Sequence, residues 1–181
     1  MEYRQLGRAG VRVSVLGLGT NRFGSDRLPQ GEVNKILDAA LDIGINFIDA
    51  SDTYVRGRCE EILGQALKGR WDHFVVATKG GLPMGEGPNN RGASRYHRYM
   101  TAAYYDMLEA LMAWAAAHGR GMNELAQAWL MAQPPVCSVI TGATSLEQML
   151  QNVTAASWTL TRAELDEVNA ILAQGGTGAA R

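Results

Sequence analysis

Val11, Val13 and Val15 alternate with Arg12 and Ser14 after the turn signals Gly7 and Gly10, and run into Leu16-Gly-Leu-Gly19. A period of two predicts a hairpin followed by a buried strand. Val33, Ile36, Leu37, Ala40 and Leu41 then recur at the spacing of one helical face and stop at Gly44, where a left-handed C-terminal cap is wanted. Ile45-Asn-Phe-Ile-Asp49 is short enough for a strand and apolar enough to be covered on both faces. The alternation repeats, with Ile62, Leu63, Ala66 and Leu67 on a helix and Phe74 to Thr78 as a strand. Short buried strands separated by amphipathic helices predict parallel pairing in an α/β fold.

Gly80, Gly81, Pro83, Gly85, Gly87, Pro88 and Gly92 break that rhythm and predict a Gly/Pro-rich loop over residues 80–100. Loops of this length are usually functional or mobile. Two helical faces follow with no strand between them: Leu108, Leu111, Met112 and Ala115 up to Gly119, then Leu125, Ala128, Trp129 and Ala132 up to Pro134. A strand is expected over Val136 to Thr141. Ser145 to Gln148 and Thr161 to Glu164 each fit the capping box that opens a helix. The last helix is expected to end near Leu172, leaving 173–181 as a flexible tail. With 181 residues, 46% of them apolar, the chain has material for one core, so residues 1–181 are read as a single domain.

Charge narrows the partners. Seventeen Lys and Arg against 18 Asp and Glu leave a net charge of −1, with no positive excess to neutralise a phosphate backbone or an anionic bilayer. No nucleic-acid or membrane partner is expected. Met1 to Gly10 is polar and lacks the apolar stretch of a signal peptide, and Cys59 and Cys137 are too few for a disulfide framework, so a cytoplasmic location is expected. The His residues at 73, 97 and 118 are scattered without ligand spacing, and no metal site is expected.

In parallel α/β folds the working residues sit where strands hand over to the following loops. Asp49, Tyr54 and Lys79 lie at such places. A carboxylate, a phenol and an ammonium at adjacent strand ends make a proton-transfer unit: Lys⁺ favours the phenolate, and Asp49 holds the Lys. The strand-to-helix step Ile140-Thr-Gly-Ala-Thr-Ser145 could offer free N–H groups to a phosphate, or Ser145 and Gln148 could simply cap the helix. Gly17-Leu-Gly19 fails as a dinucleotide fingerprint, because Arg22 stands where the third Gly is needed and no helix starts there.

Gly44-Ile-Asn-Phe-Ile-Asp-Ala-Ser-Asp-Thr-Tyr54, Glu60-Glu-Ile-Leu-Gly64, Ala77-Thr-Lys-Gly80 and Val139-Ile-Thr-Gly-Ala143, with Glu147, Gln148 and Asn152, together resemble the aldo-keto reductase family in the right order. The resemblance implies a (β/α)8 TIM barrel, NADP(H) as cofactor, and a small-molecule carbonyl substrate, an aldehyde or ketone. Asp49, Tyr54 and Lys79 match three members of the family's catalytic tetrad. Gly142, Thr144, Gln148 and Asn152 match the region that grips the adenosine and its 2′-phosphate, and Gly19 and Thr20, after the first barrel strand, complete the cofactor-binding candidates.

A complete barrel of this type takes about 250 residues. The resemblance therefore implies that a block is missing between the loop ending near Met100 and the helix starting near Ala102. With that block go strands four to seven and the tetrad His, for which neither His73 nor His97 can stand in. Strands 8-1-2-3 should remain as a contiguous parallel sheet with two exposed edges, through which a homodimer could form. Two functional readings follow: an NADPH-dependent aldehyde or ketone reductase of impaired activity, or a non-catalytic NADP-binding or interaction protein derived from one.

Overall fold

Tyr3–Gln5 (β1) and Arg12–Ser14 (β2) form the expected antiparallel hairpin in the computed structural model, which describes residues 1–81 and 101–175. Leu16–Gly19 (β3), Phe47–Asp49 (β4), Val75–Ala77 (β5) and Val139–Gly142 (β6) then build a second sheet, in the order β5-β4-β3-β6 with every pair parallel. This is the retained arc expected from the sequence, with the last strand beside the first barrel strand. Most of the predicted loop, residues 82–100, lies outside the described residues.

Gln30–Ile43 (α1) follows β3 and turns Val33, Ile36, Leu37 and Ala40 inward. Each fully buried large side chain contributes about 1.5–3 kcal/mol relative to exposure, so this face fixes the helix against the sheet. Gly44 ends it at φ 87°. The Tyr3 hydroxyl donates to the Gly44 carbonyl at 2.6 Å, and a Cβ on Gly44 would stand 2.7 Å from that oxygen. Glycine is thus required twice, by conformation and by space. Arg58–Ala66 (α2) buries Cys59, Ile62, Leu63 and Ala66 in the same core.

Ala102–Ala117 (α3), Met122–Met131 (α4) and Arg162–Gly175 (α6) share a second core built from Met107, Leu111, Ala115, Leu125, Ala128 and Val168. Leu146–Ala155 (α5) follows β6 and packs Met149 into the first core. Two helices in succession, α3 and α4, precede β6 with no strand between them, as the sequence pattern predicts.

The apolar runs 45–49 and 74–78 enter the sheet only over Phe47–Asp49 and Val75–Ala77, and further boundaries differ from expectation as well. Val136 donates to the Gln133 carbonyl at 3.0 Å, and the Arg4 guanidinium donates to the carbonyls of Met131 and Val136 at 2.8 and 3.0 Å. This turn holds residues 136–138 out of the sheet, so β6 begins at Val139. The last helix runs to Gly175 rather than Leu172, because its intrahelical bonds continue past the apolar face that marked its end; the rest of the tail lies outside the described residues. At α5, Gln148 returns its side chain to the N–H of Thr144 at 2.7 Å rather than to that of Ser145, while Ser145 accepts from Gln148 N–H at 3.1 Å. The cap is staggered by one residue. The Thr161–Glu164 box forms as predicted, with both reciprocal bonds present.

Candidate active site

Parallel pairing sets Asp49 beside both Gly19 and Ala77 at one end of the sheet. Its backbone is clamped from both sides: the Asp49 carbonyl accepts from Thr20 N–H and from the Thr20 hydroxyl, at 3.2 and 2.7 Å. The next residues bond across to β5, Ala50 N–H to the Ala77 carbonyl at 2.7 Å and Asp52 N–H to that of Lys79 at 3.0 Å. These bonds deliver the Asp49 carboxylate and the Lys79 stem to the same place.

The three side chains meet there. Lys79 Nζ lies 2.6 Å from Asp49 Oδ1 and donates to the Ala50 carbonyl at 2.8 Å. The Tyr54 hydroxyl donates to Asp49 Oδ2 at 3.2 Å. Asp49 therefore uses one carboxylate oxygen for each partner. Lys79 also stands over the Tyr54 ring, 4.8 Å from its centroid, a cation–π approach that brings the ammonium beside the phenol. Partial burial works against the ammonium, but its interactions with the Asp49 carboxylate and the Tyr54 phenol outweigh that cost and raise the Lys79 pKa above its ordinary value.

The backbone beyond Tyr54 is strained. Val55 and Arg56 take left-handed conformations, φ 48° and 55°. For a β-branched residue this is a rare geometry, with a cost of order 1–3 kcal/mol. The strain falls beside the phenol, where such outliers tend to collect.

The cofactor candidates divide into two groups. Gly19 pairs with Gly142 across β3 and β6; a Cβ on Gly142 would meet nothing within 4 Å. Thr144 and Gln148 are exposed at the start of α5. These four lie together at the strand ends, with Gln148 Oε1 accepting from both the N–H and the hydroxyl of Thr144, at 2.7 and 3.0 Å. Thr20 and Asn152 are buried and already engaged. Thr20 serves the Asp49 carbonyl and contacts the Cys59 sulfur at 3.1 Å. Asn152 donates to the Gly142 carbonyl at 3.1 Å and accepts from Asn123 and Gln127 at 3.3 Å each.

That amide network escaped the sequence reading. Asn123 and Gln127 are four residues apart on α4 and bonded to each other at 3.1 Å, so their spacing was a visible signal, but nothing in it pointed to Asn152. Cys59 is the second residue of α2, and burial raises its thiol pKa, with the Thr20 hydrogen bond partly opposing. His73 sits in a short 3-10 turn before β5, at the opposite end of that strand from Lys79. His118 ends α3 and bonds the Trp114 carbonyl at 2.8 Å. His97 lies outside the described residues. Among the described residues no group of three His, Cys, Asp or Glu side chains is placed to hold a metal, and no helix is long and apolar enough to cross a membrane.

A family model described as the aldo/keto reductase family matches the chain in two overlapping stretches, residues 15–100 and 83–173. Three curated relatives are similar to it: a "Probable voltage-gated potassium channel subunit beta" of Oryza sativa subsp. japonica, 42% identical over 100 residues; the "Uncharacterized oxidoreductase YqkF" of Bacillus subtilis, 38% over 87; and the pyridoxal 4-dehydrogenase of Microbacterium luteolum, 39% over 85. The matches cover 54%, 48% and 46% of this chain and 30%, 28% and 25% of those proteins. The chain thus spans less than a third of the length of the curated relatives it matches. In fold it is similar to an aldo-keto reductase from Bacillus halodurans in its holo form, with a TM-score of 0.75 at 20% identity, covering 94% of this chain and 96% of that one.

Proposed function

Because the chain belongs to the aldo/keto reductase family, we propose that it is an NADP(H)-dependent oxidoreductase that reduces aldehydes or ketones slowly, with Tyr54 as proton donor. One observation carries the reading: Asp49, Tyr54 and Lys79, from three separate segments, converge within hydrogen-bond distance of Asp49 at the strand ends. NADPH, when bound, supplies the hydride. Gly19, Gly142, Thr144 and Gln148 hold the nucleotide, and Thr20 and Asn152 support them from beneath, by fixing Asp49 and the end of β6.

In the reaction Tyr54 turns its hydroxyl from Asp49 Oδ2 towards the substrate oxygen and gives up its proton there. The Lys79 ammonium, over the ring, stabilises the charge left on the phenol, and Asp49 keeps Lys79 in place. Among the described residues no His stands beside Tyr54; lack of such an acid–base partner typically costs about 10²–10⁴-fold in rate, so turnover well below the median of about 10 s⁻¹ is expected. A second reading, a protein that binds NADP without turnover, draws support from the Tyr54 hydroxyl's bond to Asp49.

Calorimetric titration tests the cofactor assignment. NADP⁺ is expected to bind more tightly than NAD⁺, and Gln148→Ala to weaken NADP⁺ selectively. Equal affinity for the two nucleotides would refute the 2′-phosphate grip.

A further inference from the structure

The four-stranded sheet ends at β5 on one side and β6 on the other, and neither strand has a second neighbour among the described residues. The ladder shows which groups are left over. Val75 N–H bonds to the Asn46 carbonyl and the Ala77 carbonyl accepts from Ala50, both towards β4; alternation therefore turns the N–H and C=O of Val76 outward. On the other edge Val139 N–H bonds to the Val15 carbonyl, towards β3, and Ile140 faces outward in the same way. Neither edge carries the usual protection against pairing: Val-Val-Ala and Val-Ile-Thr-Gly contain no charge and no proline.

The concave face is equally telling. Leu16 and Leu18 point into the helix-covered core, so Gly17 and Gly19 face the other way. A Cβ on Gly17 would meet Phe47 at 2.9 Å and Ile140 at 3.4 Å, which puts both side chains on that concave face. Ile140 is 47% exposed there. In a closed barrel this face is the packed interior.

We propose that the occupant of both edges is a second copy of this chain, giving a twofold dimer that closes one eight-stranded barrel in the order β6-β3-β4-β5-β6′-β3′-β4′-β5′. Four strands are half of the eight that close such a barrel. Joining β5 to the β6 of another copy by rotation about the barrel axis keeps every strand parallel and every side chain on its proper face. Both junctions are then identical, and no edge remains. Each site also gains a wall: the end of β5, with Lys79, comes beside the partner subunit's β6, on the side where β5 has no neighbouring strand among the described residues. The dimer depends on the sheet and not on the catalytic reading, and the test reads mass alone.

Sedimentation equilibrium of the full chain at 1–100 μM is expected to show a species of twice the 19.6 kDa chain mass. Ile140→Lys, which puts a charge in the closed interior, and Ile140→Pro, which removes the outward N–H of the edge without adding a charge, should each shift the dimer to monomer. Far-UV circular dichroism should stay unchanged for at least one of them. A folded wild-type monomer across this range would mean that the chain covers its own edges and would overturn the proposal. So would a dimer that persists in both variants, or an open series of larger oligomers.

Discussion

Asn152→Ala separates support of the site from contact with the nucleotide. The carboxamide makes three hydrogen bonds, to the Gly142 carbonyl, Asn123 and Gln127, at 3.1, 3.3 and 3.3 Å. Each is worth about 0.5–1.5 kcal/mol net, the longer two at the lower end. Gly142 is exposed and can turn to water, and Gln127 keeps its bond to Asn123, so little is added for stranded groups. Gln127 Oε1 already lacks a partner. The sum is about 2 kcal/mol, which for a chain of this size lowers Tm by about 4–8 °C. Thermal melts followed by circular dichroism, paired with NADP⁺ calorimetry, check it. Gln148→Ala provides the contrast: it should cost under ~1 kcal/mol of stability as a lost cap while weakening the nucleotide. If Asn152→Ala melts like the wild type yet loses NADP⁺ affinity, Asn152 is a direct contact and the reasoning fails.

Three further outcomes are expected. Val55→Gly relieves a left-handed β-branched residue at about 1–3 kcal/mol, offset by about 0.5–1 kcal/mol of glycine entropy. Urea unfolding should therefore show a gain near 1 kcal/mol, and a loss would mean that Val55 is unstrained. Gly44→Ala meets both the positive φ and the Tyr3 hydroxyl and should cost about 1–3 kcal/mol; an unchanged urea midpoint would contradict the cap. The raised Lys79 pKa gives a pH test. Its contribution to stability is complete below the ordinary lysine value and is lost as pH rises through the higher folded value. The gap in Tm between wild type and Lys79→Met should hold from neutral pH to about 10 and narrow above it. Lys79 is half exposed, so that gap will be modest.

The strand order was legible because each retained strand is a short apolar run followed by a helix with a clear face, and because the order of the motifs placed β6 beside β3. The meeting of Asp49, Tyr54 and Lys79 was legible for the same reason: residues at the ends of adjacent parallel strands must converge. What escaped depends on contacts distant in sequence. Arg4 holding the turn before β6 spans more than 120 residues and leaves no periodic trace. Asn152 looked like a cofactor residue by resemblance, and only packing reveals how fully α4 and β6 engage it. The left-handed turn after Tyr54 hides behind Val-Arg, residues that ordinarily avoid it.

Deuteride transfer tests the central claim most directly. Purified chain is incubated with NADPH carrying deuterium at the transferred position and a generic aldehyde, and the alcohol is read by mass spectrometry over hours. The account predicts slow, enzyme-dependent formation of monodeuterated alcohol that Tyr54→Phe abolishes while still binding NADPH. Equal transfer by Tyr54→Phe and wild type, or no transfer by wild-type chain saturated with NADPH, would contradict it.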